Sequence, residues 1–156
     1  METGKYEDPE VIRRTLTRRR VAIVGLSSNE LRASNFVGRY LLHNGYDVIP
    51  VNPGEKMILG QKSFASLTDI PHVVDTVDVF RKPDAVPNIA NDAVAIGARC
   101  LWLQYNVISS EGAGIATEGS LDVVMDRCMK VEHARYLGRM HWLGFNTGRI
   151  IATRHS

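Results

Sequence analysis

The sequence is poor in features that would take it out of the class of ordinary folded domains. It has two cysteines, Cys100 and Cys128, and their spacing reads as neither a disulfide framework nor a metal site. No apolar run approaches the ~18 residues of a membrane span, and residues 1–20 lack the apolar core of a signal peptide. A cytoplasmic, reducing location with no membrane contact is therefore expected. The net charge is only +2, too small to argue for nucleic acid. Basic residues do cluster locally, as Arg13, Arg14, Arg18, Arg19 and Arg20. That cluster reads either as a solvated helix face or as a contact for an anion or partner. There is no internal repeat and no low-complexity segment.

What is present fits one domain. A chain of 156 residues can bury about two-thirds of its unfolded surface without metal or disulfide. Its 44% hydrophobic and 23% charged residues match a soluble globular protein.

Apolar runs alternate with helical patterns. Asp8-Pro9-Glu10 opens a helix, with Asp8 as cap and Pro9 at the first helical position. Val21-Ala22-Ile23-Val24-Gly25 reads as a buried strand. Ser34 is expected to cap a helix whose stripe is Phe36, Val37, Tyr40 and Leu41, and Gly45 to stop it. Residues 46–51 form a second strand, ended by Asn52-Pro53-Gly54, and residues 59–67 read as irregular. Residues 73–80 are a third strand, followed by a helix from Pro83 or Pro87 to Gly97. Residues 100–104 are a fourth strand, and Ser109 or Ser110 caps a helix to Glu118. Residues 121–125 are a fifth strand, with a final helix over 130–143. Strands separated by helices imply parallel pairing with right-handed crossovers. The expected fold is α/β: a Rossmann-like, doubly wound five-stranded parallel sheet in the order 3-2-1-4-5. The organisation reads as an N-terminal helix (1–20), the Rossmann-like domain (21–143) and a basic tail (144–156).

In such sheets ligands bind beyond the carboxyl ends of the strands, so five loops carry the candidates. The first holds Gly25, Leu26, Ser27, Ser28, Arg32 and Ser34. A dinucleotide fingerprint needs three glycines, and only Gly25 is there. Backbone amides, serine hydroxyls, a helix N-terminus and Arg32 still make an anion cradle. The plain alternative is a polar loop with a capped helix. The second loop, Val51-Asn52-Pro53, lacks the acidic residue that would hold a nicotinamide dinucleotide's ribose. Lys56 offers charge to a ribose phosphate, or is simply solvated. The third, Phe80-Arg81-Lys82-Pro83, can line a flat ring and phosphates, or can be a strand end and helix start. At the fourth, Gln104 can bond a ligand amide, while Trp102 reads as core. At the fifth, Cys128 near a helix start is either reactive or a buried inert thiol.

These five loops together resemble the CoA-binding proteins of bacteria and archaea, which are similar to the CoA-binding domain of the succinyl-CoA synthetase α subunit. The resemblance covers residues 21–135. It rests on Val24-Gly25-Leu26-Ser27 with Arg32 and Ser34, Pro50-Val51-Asn52-Pro53, Asp78-Val79-Phe80-Arg81, Trp102-Leu103-Gln104, and Val124-Met125-Asp126-Arg127-Cys128. It implies coenzyme A or an acyl-CoA as ligand. Residues 25–28, Arg32 and Ser34 would hold phosphate. Asn52, Pro53 and residues 80–83 would flank the nucleotide. Pantetheine would run toward Gln104 and Cys128, and Cys128 would be placed for a mixed disulfide with CoA. The family usually has glycine where this chain has Asn106, and Asn is the next best residue for a left-handed turn.

No segment holds a paired acid and base or a nucleophile with its histidine. His43, His72, His133, His141 and His155 read as surface or packing residues, although Glu132-His133-Ala134-Arg135 also fits the family pattern. The expectation is a stand-alone carrier, sensor or regulatory module without catalytic or metal-ligating residues. The alternatives are an accessory subunit of an ADP-forming acyl-CoA synthetase-like enzyme, or a Rossmann domain for another nucleotide. The end carrying Trp142 is a candidate surface for a homo-oligomer or protein partner.

Overall fold

A computed structural model describes residues 4–138. Helix α1 (Pro9–Leu16) starts as expected, with the Asp8 carboxylate accepting from the Glu10 amide at 2.9 Å. Five parallel strands follow: β1 (Arg20–Val24), β2 (Asp47–Val51), β5 (Thr76–Val79), β6 (Cys100–Leu103) and β7 (Asp122–Met125). A short hairpin, β3 (Met57–Ile58) and β4 (Gln61–Lys62), lies between β2 and β5. Its two-residue turn is Leu59-Gly60, both at positive φ, the conformation that a tight hairpin requires. Residues 59–67, expected to be irregular, thus include part of this hairpin.

The sheet runs β2-β1-β5-β6-β7 and is doubly wound, the expected Rossmann-like architecture. One strand sits elsewhere than expected. The outer place beside β2, expected for residues 73–80, is held by a single parallel bridge from Phe64 to Val51. The Phe64 amide donates to Pro50 O, and its carbonyl accepts from Asn52 N. β5 instead lies against β1, with Ile23 opposite Asp78. With the Phe64 segment counted at the edge, the order keeps the form 3-2-1-4-5 with one further strand. The cause is local: the chain after β2 first spends a hairpin on the edge, and only then crosses to β1.

Helices α2 (Ala33–His43) and α5 (Met129–His133) join α1 on one face. Helices α3 (Val86–Ala95) and α4 (Ser110–Glu118) cover the other. Successive strand residues point to opposite faces. Ala22, Val24, Val77, Val79, Leu101 and Leu103 therefore pack under α3 and α4, while Val21, Ile23, Cys100 and Trp102 pack under α1, α2 and α5. Ser109 caps α4 as one of the two expected serines, accepting from Gly112 N at 3.0 Å. Pro83 opens a 3-10 turn and Pro87 the first turn of α3, so both expected starts are used. Gly45 and Gly97 end α2 and α3 at positive φ. α5 passes into a π-helical turn (Ala134–Gly138). The remainder of the expected last helix, with Met140, His141 and Trp142, and the basic tail with His155 lie outside the described residues. Among the described residues no helix is long and apolar enough to cross a membrane.

Candidate ligand-binding site

Three strand exits turn through left-handed backbone. Gly25 after β1 has φ +92°, and a Cβ there would lie 2.8 Å from Phe80 O. Only glycine lets the first loop turn this close to the exit of β5. Asn106 and Asp126, after β6 and β7, take φ of 68° and 61°. The Asn106 amide donates to the Asp126 carboxylate at 2.7 Å, tying the two exits together. The left-handed turn expected at Asn106 is therefore made without glycine.

Ser34 is not the cap of α2. The cap position is Arg32, and the helix begins at Ala33. Asn29 explains the shift: its side chain accepts from Leu31 N at 2.9 Å, so the loop closes before the helix. Buried Ser34 instead accepts from Ser27 N at 3.0 Å, across the loop. Asn35, also buried, donates to Ser27 O at 2.8 Å and accepts from Arg39 Nε at 2.7 Å. This pinned loop and the amino end of α2 form an open hollow of about 330 Å3, lined by Gly25, Ser27, Arg32, Ala33, Ser34 and Phe80. The helix end contributes unpaired amides and partial positive charge, and Arg32 adds a full one.

A second hollow of about 420 Å3 adjoins it, sharing Ala33 and Phe80. Arg81, Lys82 and Pro83 line it near Phe80; Gln104, Val107 and Cys128 line it farther along. The two hollows bring together Gly25, Ser27, Arg32, Ser34, Phe80, Arg81, Lys82, Pro83, Gln104 and Cys128. The other candidates stand apart from these walls. Leu26 and Val51 are core side chains, and Val51 O accepts from Gly25 N at 2.9 Å. Asn52 donates to Leu26 O at 3.0 Å and accepts from Gly54 N at 2.8 Å, so it braces the loop from below. Ser28, Pro53 and Lys56 are exposed beside it.

Gln104 is buried, and its Oε1 accepts from Met129 N at 3.2 Å, which joins the β6 exit to α5. Trp102 is core, as expected, with its indole donating to Arg127 O at 2.8 Å. Two participants were not among the site residues expected from the sequence, although Asp126 falls within a motif of the resemblance. Asp126 holds the fourth loop, and Glu55 accepts from Ser28 N at 3.4 Å, placing a carboxylate on the β2 side of the cradle. The role of each depends on which loops the sheet order makes neighbours. Among the described residues, no group of three or more His, Cys, Asp or Glu side chains is placed to hold a metal ion.

Buried ionisable groups lie on the face of the sheet under α1, α2 and α5. Asp78 is fully buried with neither carboxyl oxygen hydrogen-bonded, and burial holds its carboxyl well above the ordinary range. Burial likewise pushes the Cys100 thiol up to about 12, so it is an inert core group. His133 is buried, bonded through Nδ1 to Tyr40 Oη at 2.9 Å, and burial lowers its basicity, with Arg19 adding to the effect. It packs edge-on against Tyr40 and Tyr46, which fits the expected packing role.

The family model described as CoA binding domain matches residues 19–134. The chain belongs to the CoA binding domain family. The match spans β1 to α5 and so includes every loop of the groove. The protein YneT of Bacillus subtilis is 35% identical over 131 residues, 84% of this chain and 95% of its own. A hypothetical protein from Pyrococcus horikoshii superposes with a TM-score of 0.84 at 40% identity, over 88% of this chain and 98% of that one. The dinucleotide-forming acetyl-coenzyme A synthetase 1 of Ca. Korarchaeum cryptofilum shares the fold, with a TM-score of 0.57 at 21% identity. That likeness covers 66% of this chain and 25% of the synthetase.

Proposed function

We propose that this protein binds coenzyme A or an acyl-CoA along the groove at the strand exits, as a stand-alone carrier, sensor or regulatory module. One observation carries the reading: a cationic hollow at a helix N-terminus adjoins, at Ala33 and Phe80, a larger and more apolar one that Cys128 helps to line. CoA has the same two parts, a phosphate-rich nucleotide and an extended thiol-bearing tail. The diphosphate sits at the amino end of α2, where Ser27, Arg32 and the first-turn amides oppose its charge. Phe80, Arg81, Lys82 and Pro83 flank the nucleotide, with Asn52, Pro53 and Lys56 at the outer rim. Pantetheine passes Val37 and Val107 toward Gln104 and Cys128.

The test is a calorimetric titration of the protein with CoA, 3′-dephospho-CoA and NAD in parallel. CoA binds in the micromolar range, about −8 kcal/mol, and loss of the 3′-phosphate weakens it. Clear NAD binding with none for CoA overturns the reading and gives Glu55 a ribose-binding role in its place.

A further inference from the structure

The arginine cluster before β1 takes no part in the groove; it lies at the opposite, amino-terminal edge of the sheet. Three of its members have structural partners. Arg13 stacks over the Tyr136 ring at 5.4 Å, Arg19 over Tyr46 at 4.8 Å, and Arg20 faces Asp47 at 3.5 Å. Arg14 and Arg18 instead converge on Asp122 at the start of β7. Arg14 grips that carboxylate with Nε at 3.0 Å and Nη2 at 2.6 Å, and Arg18 adds one contact at 3.2 Å.

Arg99, just ahead of β6, comes to the same place. Its guanidinium has no hydrogen bond or ion pair among the described residues. The nearby Asp75 carboxylate is turned to the Arg20 amide, at 3.1 Å. Arg14, Arg18 and Arg99, with Ala98, Ser120 and Asp122, line an open, mainly polar hollow of about 480 Å3. Three guanidinium groups and one carboxylate line the hollow, and only Arg14 and Arg18 bond to that carboxylate, so its walls carry a surplus of two positive charges. Asp122 cannot relieve that surplus further: the Arg14 hydrogen bond, foremost, already holds its carboxyl below the ordinary range.

We propose that this hollow is a second anion site, separate from the CoA groove, that takes a doubly charged phosphoryl group. Its geometry selects the class. A planar carboxylate is gripped by one guanidinium fork in its own plane, as Asp122 is by Arg14, with Arg18 adding a single further contact. The donors left over belong to Arg18 and Arg99, which come from different segments and need not share a plane. Tetrahedral phosphoryl oxygens accept from donors in several planes at once, and guanidinium is the group suited to that recognition. Arg18 is only 20% exposed, so its contacts are weakly screened. A bound phosphoryl group adds a bridge between the α1 end and β6, beside the one that Asp122 makes to β7.

The experiment follows the arginine Nε–Hε signals in 1H–15N spectra while inorganic phosphate is titrated. It uses the Arg32→Ala protein, so that the cradle at α2 does not compete. The Arg18 and Arg99 signals shift saturably, and Arg99→Ala weakens the remaining response by about tenfold. Arg99 is exposed and has no ion pair among the described residues, so that variant keeps the parent's unfolding midpoint, which checks that the loss is local. Succinate, of equal charge, binds clearly more weakly. The proposal falls if phosphate gives no saturable shift, if Arg99→Ala leaves it unchanged, or if succinate matches phosphate.

Discussion

Under α3 and α4 the sheet meets little but hydrocarbon: Val77, Val79, Leu101 and Leu103 against Val86, Ala90, Ala93, Ala113 and Ala116. Under α1, α2 and α5 the packing mixes Ile23, Trp102 and Met129 with buried polar groups, among them Thr15, Asp78, Glu132 and His133. The helices of the second face also supply Arg32, Ser34 and Cys128 to the groove. The first face is built for cohesion, since apolar burial needs no partner geometry. The second accepts the cost of burying polar groups and carries the site.

The contrast can be broken from either side. The largest effect is expected on the apolar face. Leu101→Ala empties a fully buried position in a middle strand and costs about 3 kcal/mol in urea unfolding. The loss is the same across pH, because nothing ionisable is removed. Gly25→Ala comes next. It forces a Cβ against Phe80 O at positive φ, and costs about 1 kcal/mol of stability together with about tenfold in CoA affinity by calorimetry.

Asp78→Asn sharpens the comparison through pH. Burial raises the folded carboxyl above the ordinary 3.8, so the fold keeps a proton that the unfolded chain releases. Its contribution to stability is full below 3.8 and is lost as pH rises toward the folded value. Asn carries no such proton. The variant therefore gains on the parent between about pH 4 and neutrality, and the difference is flat below. Urea unfolding at several pH values reads this directly; parallel pH profiles would contradict it. Cys128→Ser is the mildest change. The expected reaction is attack of Cys128 sulfur on oxidised CoA, which forms a mixed disulfide and releases one CoA thiolate. Mass spectrometry finds that adduct on the parent and not on the variant, while reversible CoA affinity changes by less than about threefold.

Much of this fold was legible in the sequence, for definite reasons. Strands buried on both faces appear as unbroken apolar runs, so β1, β2 and β6 were plain to within a residue or two. Asp8 and Ser109 cap by chemistry that is local to a few residues. The hairpin at residues 57–62 was not legible, because two-residue strands have no periodicity to detect; Leu59-Gly60 was its one cue. The placement of residues 73–80 depended on what the edge of β2 would accept, which is a tertiary matter. The same holds for the site. Gly25, Arg32, Phe80 and Cys128 could be read from their positions at strand exits. Ser34 has the chemistry of a cap, but the Asn29 turn closes the loop before the helix and leaves Ser34 to bond Ser27 N. Glu55 and Asp126 enter only through neighbours brought in by the fold.

The central claim is that the two adjoining hollows form one CoA site whose anion end is the amino terminus of α2. The most direct measurement is calorimetry of CoA on the parent and on Arg32→Ala, an exposed residue whose loss leaves the fold intact. The account predicts saturable one-to-one binding to the parent, about tenfold weaker for the variant, with unchanged unfolding midpoints. Equal affinities for both proteins would place the ligand's phosphates elsewhere and contradict the account.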